Sequence, residues 1–379
     1  MDFASYFMGG FECSTHRKLD GTQLDMLCAT HHDALAERDY RQLRALGMST
    51  IRDGVRWHLI EREPGIYDWS SFLPMLQAAA RAEVQVIWDL CHYGWPSSID
   101  IWSAEFVRRF GAFARELARL VQSETKEPPW FCPVNEMSFW SWAGGEVAHM
   151  APAGVLRGRE LKRQLVRASL AARAEILSVI PTARFLHAEP LIHVAGGTET
   201  EADMAEAEAF RLSQYEACDM LDGRLEPELG GHPDVLDVVG VNFYPHNEWA
   251  IGTGAIPLGN HGYRALSDML AEVYWRYGKS LVIAETGAEG GARAAWLHYV
   301  CDEVAIASRV GVPILGICLY PITAYPGWEN GRSCPVGILG AVDSQGYRPI
   351  YTPLAQELRR QQGAMRLSTA SEPDASSNW

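Results

Sequence analysis

Short apolar runs rich in Val, Ile, Leu and aromatic residues recur along the chain. Between them lie longer stretches whose apolar positions return every three or four residues. The short runs read as buried strands and the longer ones as amphipathic helices packed against them. Eight strand segments emerge, at 6–13, 50–57, 84–90, 130–136, 183–189, 235–244, 280–285 and 314–320. Helical patterns follow them in turn at 33–46, 71–82, 104–121, 158–179, 199–218, 263–277, 292–309 and 352–360. Alternation of this kind predicts a parallel sheet covered by helices, and eight units predict closure into a single (β/α)8 TIM barrel. No linker, repeat or low-complexity block interrupts residues 1–362, which are expected to form one domain. From Gly363 the composition turns to Ser, Ala, Pro, Glu and Asn, so 363–379 is expected to be a disordered tail. The Gly- and Asn-containing stretch 248–262 reads as a long loop after the sixth strand, on the face where such barrels carry their chemistry.

Two of the apolar runs end on a glutamate. Trp130-Phe131-Cys132-Pro133-Val134-Asn135-Glu136 is one, and Ser280-Leu281-Val282-Ile283-Ala284-Glu285 is the other. A buried strand has no use for a carboxylate at its end unless the carboxylate faces a cavity, because unpaired buried charge is costly. Either glutamate alone reads more simply as a helix-cap partner or a member of a salt bridge. The two together, at the ends of two parallel strands, match the acid/base and nucleophile of a retaining glycosidase. Other strand ends contribute Glu12, Arg52, Asp53, Arg56, Asp89, His92, Asn135, Glu189, Asn242, Tyr244 and Tyr320. Loops are polar everywhere, so part of this clustering is expected without any function.

Composition narrows the partners. The 379 residues hold 33 Lys+Arg against 47 Asp+Glu, a formal net charge of −14, and show no basic cluster interleaved with aromatics. Nucleic acid and anionic membranes are therefore poor partners, and a neutral or cationic small ligand is favoured. The eight cysteines are scattered without a C-x-x-C pair, which argues for a reducing compartment over a disulfide framework or zinc site. The first residues lack a basic-then-apolar leader, and no apolar run reaches the length of a membrane span. A cytoplasmic protein is expected.

Several segments, taken in order, resemble glycoside hydrolase family 1, the β-glucosidase-like retaining enzymes of the clan A (β/α)8 glycosidases. The resemblance covers most of 6–340 and marks a distant or outlying member. Ile51-Arg52-Asp53-Gly54-Val55-Arg56-Trp57 looks like the family's R-F-S-x-x-W. Cys91-His92-Tyr93-Gly94-Trp95-Pro96 resembles H-W-D-L-P, and Val134-Asn135-Glu136 resembles T-x-N-E-P. Gly240-Val241-Asn242-Phe243-Tyr244 looks like G-x-N-Y-Y, and the stretch from Trp275 to Gly287 is similar to R-Y-x-K-P-x-x-I-T-E-N-G.

The resemblance implies that Glu136 is the acid/base and Glu285 the nucleophile, with Arg52 and Tyr244 supporting Glu285 and keeping it ionised. It implies that His92 and Asn135 bind sugar hydroxyls, Asn135 at the 2-position. Trp328 and Glu329, after the eighth strand, are candidates for glycone contacts, and His16 or Glu12 for the space of the family's N-terminal glutamine. No metal and no cofactor are implied, and the partner is a small-molecule carbohydrate.

The departures are specific. Met137 stands where the family has proline, Thr286 where it has asparagine, and Tyr320-Pro321-Ile322-Thr323-Ala324-Tyr325-Pro326-Gly327-Trp328-Glu329 replaces the motif after strand eight. The expected activity is hydrolysis of a small β-linked glycoside or oligosaccharide by double displacement. A transglycosylase on the same residues and a catalytically silent sugar-binding barrel are the alternatives.

Overall fold

The computed structural model describes residues 2–125 and 127–370. Eight parallel strands close into a barrel in which each strand pairs with its sequence neighbours and the eighth pairs with the first. They are β1 (Phe7–Gly10), β2 (Thr50–Gly54), β3 (Gln85–Asp89), β4 (Trp130–Cys132), β5 (Arg184–Pro190), β6 (Val238–Asn242), β7 (Leu281–Thr286) and β8 (Ile314–Leu319). The helices around them are α1 (His32–Ala45), α2 (Leu73–Ala82), α3 (Ala104–Glu124), α4 (Gly158–Val179), α5 (Glu201–Leu212), α6 (Leu266–Tyr277), α7 (Arg293–Arg309) and α8 (Thr352–Ala370). The (β/α)8 class expected from the alternation is the class observed.

Alternation along each strand builds two cores. Met8, Ile87, Trp130, Leu186, Val238, Val282 and Cys318 fill the barrel, while Ile51, Trp88, Phe131, Phe185, Val241 and Ile283 face the helices. On α3, Phe106, Phe110, Phe113, Leu117 and Val121 form the buried stripe that meets the second core. Each such side chain contributes roughly 1.5–3 kcal/mol on burial.

Four segments depart from the sequence expectation. The fourth strand stops at Cys132 rather than running on to Glu136, because Pro133 has no N–H to continue the ladder. The helix expected over 199–218 is split by a 3-10 turn at Ser213–Tyr215 into α5 and a second piece, Glu216–Asp222. The stretch 248–262 is only partly loop, since Glu248–Ala250 and Gly254–Ala255 join His193–Ala195 in a small separate sheet. Helix α8 runs on to Ala370, into the stretch expected to be a tail, and 371–379 lie outside the described residues.

Among the described residues no helix is long and apolar enough to cross a membrane. All eight cysteines are unpaired, and only Cys28 is exposed.

Candidate active site

The C-terminal mouth of the barrel gathers charge around Arg52, which β2 points inward and which is almost fully buried. Its Nε and Nη2 donate to the two oxygens of Asp89 on β3 at 3.0 and 2.8 Å, the planar fork-on-carboxylate geometry that lysine cannot copy. Nη1 donates to Glu285 Oε1 at 2.8 Å and Nη2 to Asn135 Oδ1 at 2.6 Å. One guanidinium thus ties three strands' contributions into a single network. Asp53, the neighbour in sequence, faces the other way and accepts from His32 on α1.

Glu285 reaches this network through an irregularity in its strand. Val282 and Ala284 face the barrel interior, so strict alternation would send the next residue outward. The pairing of β7 with β6 slips between Ile283 and Glu285, and this bulge re-aims the carboxylate inward. Thr286 then turns outward, where its hydroxyl donates to the Phe243 carbonyl at 2.7 Å and accepts from Trp296 Nε1 at 2.9 Å. The asparagine of the family motif is therefore replaced by a packing residue.

The second oxygen of Glu285 accepts from the Tyr244 hydroxyl at 2.8 Å. Burial pushes the Glu285 carboxyl up; Arg52, His92 and the Tyr244 hydroxyl pull it back while the charge of Glu136 adds to the rise, leaving it at about 7. The expectation that Arg52 and Tyr244 simply keep this group ionised left out the desolvation of a group with almost no solvent contact. Because the two carboxyls interact, protons bind to the pair rather than to one residue.

Glu136 stands at the turn that follows β4, in the left-handed region at φ 44°. Its backbone N–H donates to the Ala188 carbonyl of β5 at 2.9 Å, which stitches the turn to the neighbouring strand. Asn242 Nδ2 donates to Oε1 at 2.9 Å and the Tyr93 hydroxyl to Oε2 at 2.6 Å. Immediately after it, the N–H groups of Met137 and Ser138 donate to the two oxygens of Glu189 at 2.8 and 2.9 Å. A proline at 137, as in the family, would have no N–H to give. Burial raises the Glu189 carboxyl to about 7 against the hydrogen bonds at Ser138.

His92 donates through Nδ1 to Asp89 at 3.0 Å, and its Nε2 lies 3.2 Å from Asn135 Nδ2. Since Asn135 Oδ1 accepts from Arg52, its nitrogen must be the donor, and His92 Nε2 must accept. Burial works against the imidazolium and the carboxylates of Asp89 and Glu12 favour it, with a net upward shift; gaining that proton would break the bond from Asn135.

The candidates for sugar contacts divide. Glu12 is buried, accepts from the Ser14 N–H at 3.1 Å, and its charge is felt at His92, Tyr93, Tyr244 and Tyr320, on the rim of the same pocket. His16 and Trp328 meet edge to face at 4.7 Å, and His16 Nδ1 and Trp328 Nε1 are both buried without a hydrogen-bond partner. Burial drives the His16 imidazole down to about 4, with His92 and Lys18 adding to it, so it is neutral.

Glu329 does not reach the centre. Tyr325–Pro326 and Ser333–Cys334 form a hairpin whose tip exposes Glu329 to solvent, where only its backbone carbonyl is engaged, by Lys18 Nζ at 3.1 Å. Two neighbouring residues at a hairpin tip point in different directions, and only Trp328 turns inward.

Asp89, Asn242 and Tyr320 carried no assigned role in the sequence, and neither did Tyr93. Asp89 holds Arg52 and His92, Asn242 holds Glu136, and Tyr320 lies under the Arg52 guanidinium at 5.6 Å. Position at strand ends was the signal for the first three, and Tyr93 lay next to His92 in the segment that resembles H-W-D-L-P.

Fold and site together give a closed (β/α)8 barrel with two glutamates at its C-terminal mouth, Glu285 held by Arg52 and Tyr244 and Glu136 by Asn242 and Tyr93. Neither a family model nor a curated protein matches the sequence. In three dimensions the chain is similar to the AHE enzyme from Alicyclobacillus herbarius (TM-score 0.77, 16% identity, 96% of this chain and 98% of that one). It is likewise similar to the family 1 β-glucosidase from Thermotoga maritima (TM-score 0.75, 14% identity, 94% of this chain and 97% of that one). A β-glucosidase from the same organism in complex with glucoimidazole aligns with TM-score 0.75 at 14% identity over 95% of this chain and 98% of that one. At such identities the likeness is one of fold.

Proposed function

We propose that the chain is a retaining β-glycosidase, β-glucosidase- or β-galactosidase-like, that hydrolyses a small β-linked glycoside or oligosaccharide. The observation that carries this reading is the opposed pair: Glu285 held by Arg52 and Tyr244, Glu136 held by Asn242 and Tyr93. A carboxylate clamped by two donors is aimed, and its attack on the anomeric carbon requires little reorganisation. Glu136 gives its proton to the departing oxygen in the first step. In the second it takes a proton from the water that frees the sugar from Glu285.

Asn135 supports the same reading. Its amide nitrogen already serves two weak acceptors, and a 2-hydroxyl that strengthens its hydrogen bond in the oxocarbenium-like transition state is the partner expected of it. The orphaned polar atoms of His16, Trp328 and Asn242 are those a bound sugar's hydroxyls would satisfy. Trp328 offers an aromatic face for sugar C–H surfaces. A cytoplasmic location belongs to this proposal and rests on the unpaired, mostly buried cysteines.

The test is intact-mass measurement after incubation with activated 2-deoxy-2-fluoro-β-glycosides of the gluco, galacto, manno, fuco and xylo series. A gain of one sugar that disappears in Glu285→Ala is expected for at least one glycone. No adduct with any of them would favour a silent sugar-binding barrel.

A further inference from the structure

We propose that Tyr93 is a positioning residue for the acid/base: its hydroxyl drives the proton off Glu136 toward the departing oxygen and couples that transfer to Asn135. The inference rests on the glycosidase reading above and deepens it. It starts from hydrogen-bond direction. Arg52 can only donate, so Asn135 Oδ1, at 2.6 Å from its Nη2, accepts, and Asn135 Nδ2 must donate. That nitrogen lies 3.0 Å from the Tyr93 oxygen, which therefore accepts, and the single phenolic proton is left for Glu136 Oε2 at 2.6 Å. No other assignment satisfies all three groups.

The backbone is bent to hold this ring in place. Tyr93 has φ 68°, a left-handed conformation that is unfavourable for a bulky residue and that persists only where the surroundings enforce it. Here the Thr15 N–H donates to the His92 carbonyl at 3.1 Å, and Gly94 sits so close to Thr15 that a Cβ would meet Oγ1 at 2.0 Å. Phe139, Trp140, His92 and Trp328 enclose the ring at centroid distances of 5.5, 5.9, 4.7 and 5.9 Å. Burial, with Glu136 and Glu285 nearby, pushes the phenol well above its ordinary value, so it remains a donor at every working pH. The family motif has tryptophan at this position, which carries its donor elsewhere.

The consequence falls on the first half-reaction. As Glu136 releases its proton to the glycosidic oxygen it becomes a carboxylate, and the bond from Tyr93 turns charge-assisted at that moment. The stabilisation is greatest where charge develops, which accelerates the step. Atoms balance simply: the proton moves from Glu136 to the leaving oxygen, the C–O bond to that oxygen breaks, and Tyr93 keeps its own proton. A 2-hydroxyl that takes over the Asn135 amide leaves the Tyr93 oxygen with one acceptor role fewer, so glycone recognition reaches the acid through one shared hydroxyl.

The experiment compares wild type and Tyr93→Phe on two aryl glycosides of the glycone found by the labelling above, one with a dinitrophenolate leaving group and one with an unactivated phenol. Loss of one charge-assisted hydrogen bond predicts a roughly 10- to 100-fold fall in kcat/KM for the unactivated substrate, and little change in the glycosylation rate for the activated one, which needs no acid. The basic limb of the pH profile moves upward, because the variant holds its acid proton more tightly. Equal losses on both substrates with an unmoved pH profile would reduce Tyr93 to packing and overturn the proposal. If Tyr93→Phe does not fold, 3,5-difluorotyrosine at 93 keeps ring and hydroxyl with a more acidic phenol. The basic limb must then move downward, and an unmoved limb overturns the proposal. Absence of any labelling in the wild type is a separate outcome: it withdraws the glycosidase reading, and the role of Tyr93 with it.

Discussion

Arg52→Met and Arg52→Lys together test whether the site is organised as described. Arg52 donates to Asp89 twice, to Glu285, to Asn135 and to the Ala284 carbonyl at 3.2 Å. Lysine preserves the charge but cannot reach Glu285 and Asn135 while also forking onto Asp89. Losing at least one hydrogen bond between charged or catalytically placed groups costs about 1.5–3 kcal/mol in the transition state, up to about 100-fold in kcat/KM. Methionine loses all of them and leaves the Asp89 carboxylate buried without its cationic partner, still accepting from His92 Nδ1, which should cost about 3–5 kcal/mol of stability.

The pH dependence separates electrostatics from damage. Burial raises the Glu285 carboxyl and Arg52 is the largest influence opposing it. In the proposed mechanism Glu285 must be ionised to attack, so removing the arginine moves the acidic limb of kcat/KM to higher pH, while Arg52→Lys moves it less. The rate of labelling at Glu285 is measured from pH 5 to 9 by intact mass, with urea unfolding of each variant run in parallel. A folded Arg52→Met enzyme whose acidic limb and rate match the wild type would refute the reasoning.

Other outcomes are expected elsewhere in the molecule. His32 is fully buried between Asp39 and Asp53 at 2.7 and 2.8 Å; burial opposes its charge, the two carboxylates outweigh burial, and its imidazole is raised to about 9. Its folded value exceeds its unfolded one near 6.5, so roughly 3 kcal/mol of stability is fully present below pH 6.5 and is lost as pH rises through about 9. Urea unfolding at pH 6 and pH 9.5 checks this, and an equal pH difference in His32→Gln would exclude the histidine as its source. Gly94→Ala forces a Cβ into Thr15, with the backbone oxygen at 2.3 Å as well as the hydroxyl, and should lower stability by about 1–3 kcal/mol while displacing Tyr93. Calorimetry and labelling rate should therefore fall together. Trp328→Ala removes an aromatic wall and should raise KM about tenfold with a smaller change in kcat, read from steady-state kinetics. A fall in kcat with KM unchanged would place Trp328 outside glycone binding.

Much of the molecule was legible before any coordinates. Alternating strand and helix periodicities give eight β/α units because a parallel strand buried on both faces must be apolar throughout and its crossover helix must carry one apolar stripe. That logic is local, so Glu136 and Glu285 stood out as charges closing apolar runs, and Arg52 and Tyr244 lay where the family pattern puts the partners of the nucleophile. What the tertiary structure alone decided depends on register and on contacts distant in sequence. A one-residue slip in the pairing of β7 turns Glu285 inward, and no composition or period announces such a slip. Tyr93 meets Glu136 across 43 positions, and Asn242 meets it across 106. Trp328 and Glu329 are adjacent in sequence, yet a hairpin tip turns one into the site and the other to solvent. Sequence by itself determined which residue types reach the mouth of the barrel; closure of the barrel decided which of them touch.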